Sequence, residues 1–341
     1  MQIFATVKGF AVSLASWFTY RFSRRRSLDP YKDYLLGAAI DESASGLRVT
    51  FLGVSTLLFD DGKTAILTDG FFSRPSRLRT LFTKLEPDRK LIARYLQRAG
   101  IKKLEAVIVL HSHLDHAFDA PEVARQTDAL LIGSESTANI ARGYGFPERD
   151  ICVVQDGAEM CLGRFVIKFL PSGHSPLALL SRFHFDIDLL EGEIEEPLKL
   201  PAHWYDYKEG DCYSILIEHD GKSILVQASA GFKKAALDGH HANVVFLGIG
   251  TLGHFQPSDM EDYWNEVVEA VKPQRIIPIH WDDFSEPLDR PLIPMRRSLD
   301  DLDKSMSFFL ARAKERGIDL KMLPAWIKAD PFAGLDNKQS R

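Results

Sequence analysis

Residues 107–122 read VIVLHSHLDHAFDAPE, with three histidines and two aspartates behind a short apolar run. Val107, Ile108, Val109 and Leu110 form the β-branched stretch that a sheet covered on both faces requires. The histidines after this run therefore lie at a strand end, where loops carry sites. Residues 111–116 spell H-x-H-x-D-H. In extended chain His111 and His113 project to one side and can grip one ion. Asp115 and His116 come where the chain turns toward a helix, and can reach a second ion nearby. Imidazole and carboxylate donors suit zinc, iron or manganese better than copper(I) or calcium. Two ions about 3.5–4 Å apart are the expected arrangement.

Four ligands do not complete two coordination shells. The strand-like segment RFVIKFLPSGH alternates Phe165, Ile167 and Phe169 and ends on His174. RIIPIHW offers His280 at another strand end, and TAILTDG offers Asp69 in the same position. Each alone reads as an ordinary polar residue, and three together point to a shared site.

TDG, HSHLDH, SGH and IPIHW occur in an order that resembles the metallo-β-lactamase superfamily, over most of residues 48–285. The resemblance implies an α/β fold, a four-layer αβ/βα sandwich of two mixed sheets face to face with helices outside. It implies that His111, His113 and His174 hold one metal, that Asp115, His116 and His280 hold another, and that Asp69 steadies the ligands from behind. The family usually bridges its metals with an aspartate after the hairpin strand of the second half. Here that strand reads SILVQASAGF, and Ser229 stands in the aspartate's place. A serine hydroxyl is a poor bridging ligand, so the second metal is expected to be weak, exchangeable or absent.

The implied chemistry is hydrolysis by a metal-activated hydroxide, with zinc as the default ion (one or two) and iron or manganese compatible. Asp115 would be a ligand and a proton acceptor. IPIHW and GSESTANIARGYGFPE look most like the branch containing N-acyl-phosphatidylethanolamine phospholipase D and ascorbate-6-phosphate lactonase. That favours a phosphodiester, phospholipid-like substrate, with a lactone or other small ester as the alternative. A reading of another class is a metal-binding protein without catalysis.

The chain has 341 residues, 45% of them hydrophobic, enough for one large domain. No Pro/Gly/Ser linker divides it, so residues 45–330 read as one domain. A net charge of −5 offers no basic track for nucleic acid. Cys152, Cys161 and Cys212 form no CxxC pair and read as core or near-core thiols of a reducing, cytoplasmic compartment.

Residues 1–30 stand apart. Ile3, Phe4, Val7, Phe10, Ala11, Leu14, Trp17 and Phe18 keep helical spacing, and Arg21, Arg24, Arg25 and Arg26 come next. The uncharged run is too short to span a bilayer. A cleavable signal peptide is the lesser reading, because arginines would open the mature chain. The segment is expected to lie on the inner, anionic membrane face, or to pack on its own domain or on a second copy in a homo-oligomer.

Local pattern supplies further elements. DDGK at 60–63 and Asp220-Gly221 mark hairpins, residues 88–99 read as a helix closed by Gly100, and residues 259–271 and 302–313 as two more. Residues 175–210 resemble neither half and read as an inserted lid, with His184, His203, Trp204, Tyr205 and Tyr207 as candidate wall residues. Arg74, Arg77 and Arg79 form either an anion-accepting loop or a solvated one. His254, after the strand NVVFLGI, is a candidate for contacting substrate.

Overall fold

Two seven-stranded sheets organise the chain, and both are assembled in the same way. The computed structural model describes residues 23–37, 46–176 and 189–335. In the first sheet β1 (Arg48–Phe51), β2 (Leu57–Asp60) and β3 (Ala65–Thr68) form an antiparallel meander, and β4 (Ala106–Ile108), β5 (Leu130–Gly133) and β6 (Ile151–Val153) continue it in parallel. In the second, β7 (Glu159–Leu162), β8 (Phe165–Pro171), β9 (Tyr213–His219) and β10 (Lys222–Gln227) are antiparallel. β11 (Val244–Gly248), β12 (Arg275–Ile279) and β13 (Asp319–Leu320) then run parallel to β10. β14 (Lys328–Ala329) returns to the first sheet beside β1.

The apolar runs form the inner strands: every residue of β4, β11 and β12 is buried. The sheets meet face to face, as Phe59 of β2 and Phe246 of β11 show, their rings edge-on with centroids 5.8 Å apart. At one end Asp61 accepts from Arg164 Nε at 2.8 Å and faces His219 Nε2 at 3.2 Å, tying the β2–β3 turn to the second sheet.

Helices pack outside these layers. The one at Arg89–Ala99 starts on Asp88, whose carboxylate accepts the Leu91 N–H at 3.0 Å, and stops at Gly100 with φ +71°. Tyr95 turns its ring onto Phe72 and Trp326. The helix expected at 259–271 begins at Pro257 and changes at Trp264–Glu269 to a π-helical turn, which lets buried Trp264 reach Phe309 of the Leu302–Arg316 helix.

One expectation changes on contact with the structure, and two readings left open are filled in. Cys161 is exposed on edge strand β7 rather than near the core. The described part of the lid, residues 189–210, is fastened down: Leu85 and Ala202 exchange backbone hydrogen bonds at 2.7 and 3.0 Å, and Leu198 N–H donates to Asn139 O at 2.9 Å. His184 and the rest of 177–188 lie outside the described residues. Residues 1–22, which carry the amphipathic pattern and Arg21, also lie outside them. From Ser23 onward the segment is clamped to the 281–303 region: Arg25 pairs with Asp283 and Glu286, both at 2.5 Å, and Arg26 with Asp301 at 2.9 Å and Asp303 at 3.1 Å. Two of the four arginines thus pack on the chain itself, one of the arrangements expected of this segment. Among the described residues no helix is long and apolar enough to cross a membrane.

Candidate metal centre

The expected ligands His111 and His113 come just after β4, His174 after β8 and His280 after β12, and Asp69, expected behind the ligands, comes after β3. Beyond β4 the chain bends at Leu110 and His111, and His113 then caps a one-turn helix, Leu114–Ala117, carrying Asp115 and His116. That short turn is why six residues can supply four donors. Asp69 and His280 adopt left-handed backbone, φ +56° and +60°, which non-glycine residues adopt only when neighbours hold them there. The holding bonds are Asp69 N–H to Ile108 O at 2.8 Å and His280 N–H to Val54 O at 2.7 Å.

The fold gathers these side chains into two triads. His111, His113 and His174 form one, Asp115, His116 and His280 the other, and within each triad one donor atom per residue lies within 4.8 Å of the others. The triads adjoin, since the His111 and His116 ring centroids are 3.7 Å apart. Each takes two members from the first sheet's strand end and its third from the second sheet.

Hydrogen bonds behind the rings settle which nitrogen faces inward. Leu190 O lies 3.2 Å from His113 Nε2, Ser175 O 2.8 Å from His174 Nδ1, and Asp69 Oδ2 2.9 Å from His116 Nδ1. Asp69 is itself fixed: it accepts from Ser55 Oγ–H, and its Oδ1 accepts the Leu110 N–H at 2.9 Å. Ser55 Oγ lies 2.9 Å from the same His116 Nδ1, so both groups stand where a partner orienting that ring would. No sequence signal marks Ser55, a small polar residue in an apolar strand connection.

Charge is unevenly spread over the two triads. Burial drives His111 and His174 well below the ordinary histidine value, with the neighbouring imidazoles adding to the effect, and brings His113 down to about 4. These three are neutral Lewis bases at pH 7. Burial acts to raise Asp115, but His116 and His280 outweigh it and hold the carboxyl well below its usual range. Burial acts to lower His280, and Asp115 more than offsets this, so His280 lies above its ordinary value.

The triads open into a cavity of about 190 Å³ whose lining is largely apolar, with Leu81, Leu190, Trp204, Phe284 and Met295 among its walls. Of the lid candidates it takes Trp204 and Tyr207; His203 instead stacks on Tyr205, with centroids 4.9 Å apart. Ser229 lines the cavity beside His174, and its Oγ accepts the Ser175 N–H at 2.9 Å. His254 is not brought to the cavity: its Nε2 is 2.9 Å from Arg297 O. Of the arginine loop only Arg77 reaches the lining, while Arg79 is exposed. Arg74 is fully buried and paired with Asp282 at 2.8 Å, so it accepts no solvent-borne anion.

The family model described as "Metallo-beta-lactamase superfamily" matches residues 49–203. UPF0173 metal-dependent hydrolases of Staphylococcus epidermidis and Staphylococcus aureus are 24% and 25% identical over 244 residues, covering 70% of this chain and 87% of theirs. Among solved structures, Igni18, a metallo hydrolase from the hyperthermophilic archaeon Ignicoccus hospitalis, aligns with TM-score 0.50 and 16% identity over 83% of this chain and 97% of its own. CmlA, a diiron β-hydroxylase from Streptomyces venezuelae, aligns with TM-score 0.50 and 13% identity over 84% of this chain and 54% of its own. At such identities the two structures speak for the fold alone.

Proposed function

We propose that this chain, which belongs to the metallo-β-lactamase superfamily, is a metal-dependent hydrolase acting on a phosphodiester of phospholipid-like form. The observation that carries the reading is the pair of adjoining triads at the floor of one apolar cavity. The residues fit divalent metal: His111 Nε2 is buried with no hydrogen-bond partner, and its two triad neighbours have their other ring nitrogens engaged from behind. His111, His113 and His174 would hold one ion and Asp115, His116 and His280 a second, with zinc the default and iron or manganese compatible with the same donors. A divalent ion there supplies Lewis acidity and activates water near neutral pH.

The chain's own groups do the rest. Asp115 stays ionised and can accept a hydrogen bond from water in the cavity, fixing its direction of approach. Its depressed pKa makes it a ligand and orienting acceptor rather than a proton store. Leu81, Leu190, Trp204, Phe284 and Met295 exclude bulk water and offer a hydrocarbon group a surface, and Arg77 adds a cation to the lining. The small volume also suits a lactone or other small ester, which is the second reading.

Elemental analysis of protein purified without chelator is the first test, followed by hydrolysis of bis(p-nitrophenyl) phosphate, p-nitrophenyl acetate and a homoserine lactone. The expected result is bound metal and a kcat/KM at least about tenfold higher on the phosphodiester, lost by about 10³-fold in His113→Ala. The reverse preference would favour the ester reading, and loaded but inert protein would retire the enzyme. For a membrane partner, sedimentation with anionic liposomes should fall on deleting residues 1–22, which leaves the Arg25 clamp in place.

A further inference from the structure

We infer that Glu209, at the far end of the lid segment, is the positioning residue of the first triad, tying all three of its histidines into one frame. The inference rests on the metal-binding reading above and extends it to a residue of the lid.

Three different groups of Glu209 make the ties. Its backbone carbonyl accepts the N–H of Ser112, the residue between His111 and His113, at 2.8 Å. Its own N–H donates to Leu190 O at 2.8 Å, the same oxygen that lies 3.2 Å from His113 Nε2. A carbonyl has two lone pairs and can serve both. Its carboxylate accepts the thiol of Cys212 at 3.3 Å and faces the backbone N–H of His174. One residue thus reaches the strand end after β4, the ring of His113 and the loop after β8.

The arrangement is selective. Among the described residues the second triad has no hydrogen bond to Glu209; Asp69, Ser55 and Val54 hold its histidines instead. Residues 189–210 are thereby more than a cover. Their last turn joins the first sheet's ligand pair to the second sheet's His174, and so sets the spacing that the triad needs before any ion arrives. Metal affinity depends on such support, and loss of an orienting partner costs typically 10–100-fold.

The test is zinc titration of chelator-stripped protein in two parent variants, His280→Ala, which leaves the first triad whole, and His111→Ala, which leaves the second. Glu209→Leu, which removes the carboxylate's contacts and leaves the two backbone ties, should weaken zinc binding in the first parent by about 10-fold, and in the second by less than about threefold. Glu209→Gln offers one acceptor oxygen to two donors and should weaken the first parent by at least about threefold. It preserves shape and volume, and it decides the question should Glu209→Leu fail to fold. Unchanged affinity in the His280→Ala parent, or equal losses in both parents, would overturn the assignment. Zinc binding by neither parent would sink the metal reading itself.

Discussion

His280 Nε2 lies 3.2 Å from Asp115 Oδ2, while its buried Nδ1 has no hydrogen-bond partner and faces Gly250, where an added Cβ would come within 2.7 Å. The imidazole is thus fixed between a carboxylate and a bare backbone. Asp115 holds His280 above its ordinary pKa, whereas His111, His113 and His174 lie below theirs.

That contrast predicts unequal pH dependence of metal uptake. A histidine must be neutral to coordinate, so a raised pKa means a proton is released on binding. As pH drops, affinity of the second triad should begin to fall already above about 6.5, while the first should hold to lower pH. Calorimetry of zinc binding at pH 6.5, in two buffers of different ionisation enthalpy, reads the protons directly. His111→Ala, which keeps His280, should release more protons on binding than His280→Ala. Equal release would show that Asp115 does not set His280's protonation.

Arg74 and Asp282 supply a second prediction. Both side chains are fully buried and pair at 2.8 Å. Asp282 Oδ1 accepts the Val54 N–H at 2.7 Å, and Val54 O accepts the His280 N–H at 2.7 Å, so the pair stands under a proposed ligand. Arg74→Ala strands a buried carboxylate and should cost about 3–5 kcal/mol in urea unfolding. A loss below about 1 kcal/mol would mean that solvent reaches Asp282 and replaces the guanidinium.

Ser229 gives a third. Its Oγ already accepts the Ser175 N–H beside His174, and an aspartate there could keep that bond with one oxygen and offer the other to the triads. Ser229→Asp should retain its second equivalent of zinc at least about tenfold more tightly against a competing chelator. Unchanged retention would show that position 229 does not face the space between the triads.

The two triads were legible because four donors are contiguous and the others come after recognisable strands. The same rule misplaced His254, which also comes after a strand. Beyond β11 the chain turns through Thr251 at φ +66° into a short 3₁₀ turn, and the imidazole finds Arg297 O, a backbone course that no residue type announces. Arg74 and Arg25 stay open for another reason. Pattern alone leaves Arg74 to a solvated or anion-accepting loop and Arg25 to a membrane or the chain's own surface. Their partners Asp282 and Asp283 lie more than two hundred residues away and become neighbours only once the sheets have met. Glu209 carries no local signal at all, because two of its three ties are made by its backbone.

Because each triad draws two members from the first sheet and one from the second, its completion is a matter of timing during synthesis. The nascent chain presents His111, His113, Asp115 and His116 long before β8 delivers His174, and β12 delivers His280 later still. Until then the H-x-H-x-D-H turn is two half-sets of donors with little claim on an ion. Loading of these triads would therefore be a late event, and an occupied centre would certify that both halves of the chain have been made and have closed on each other.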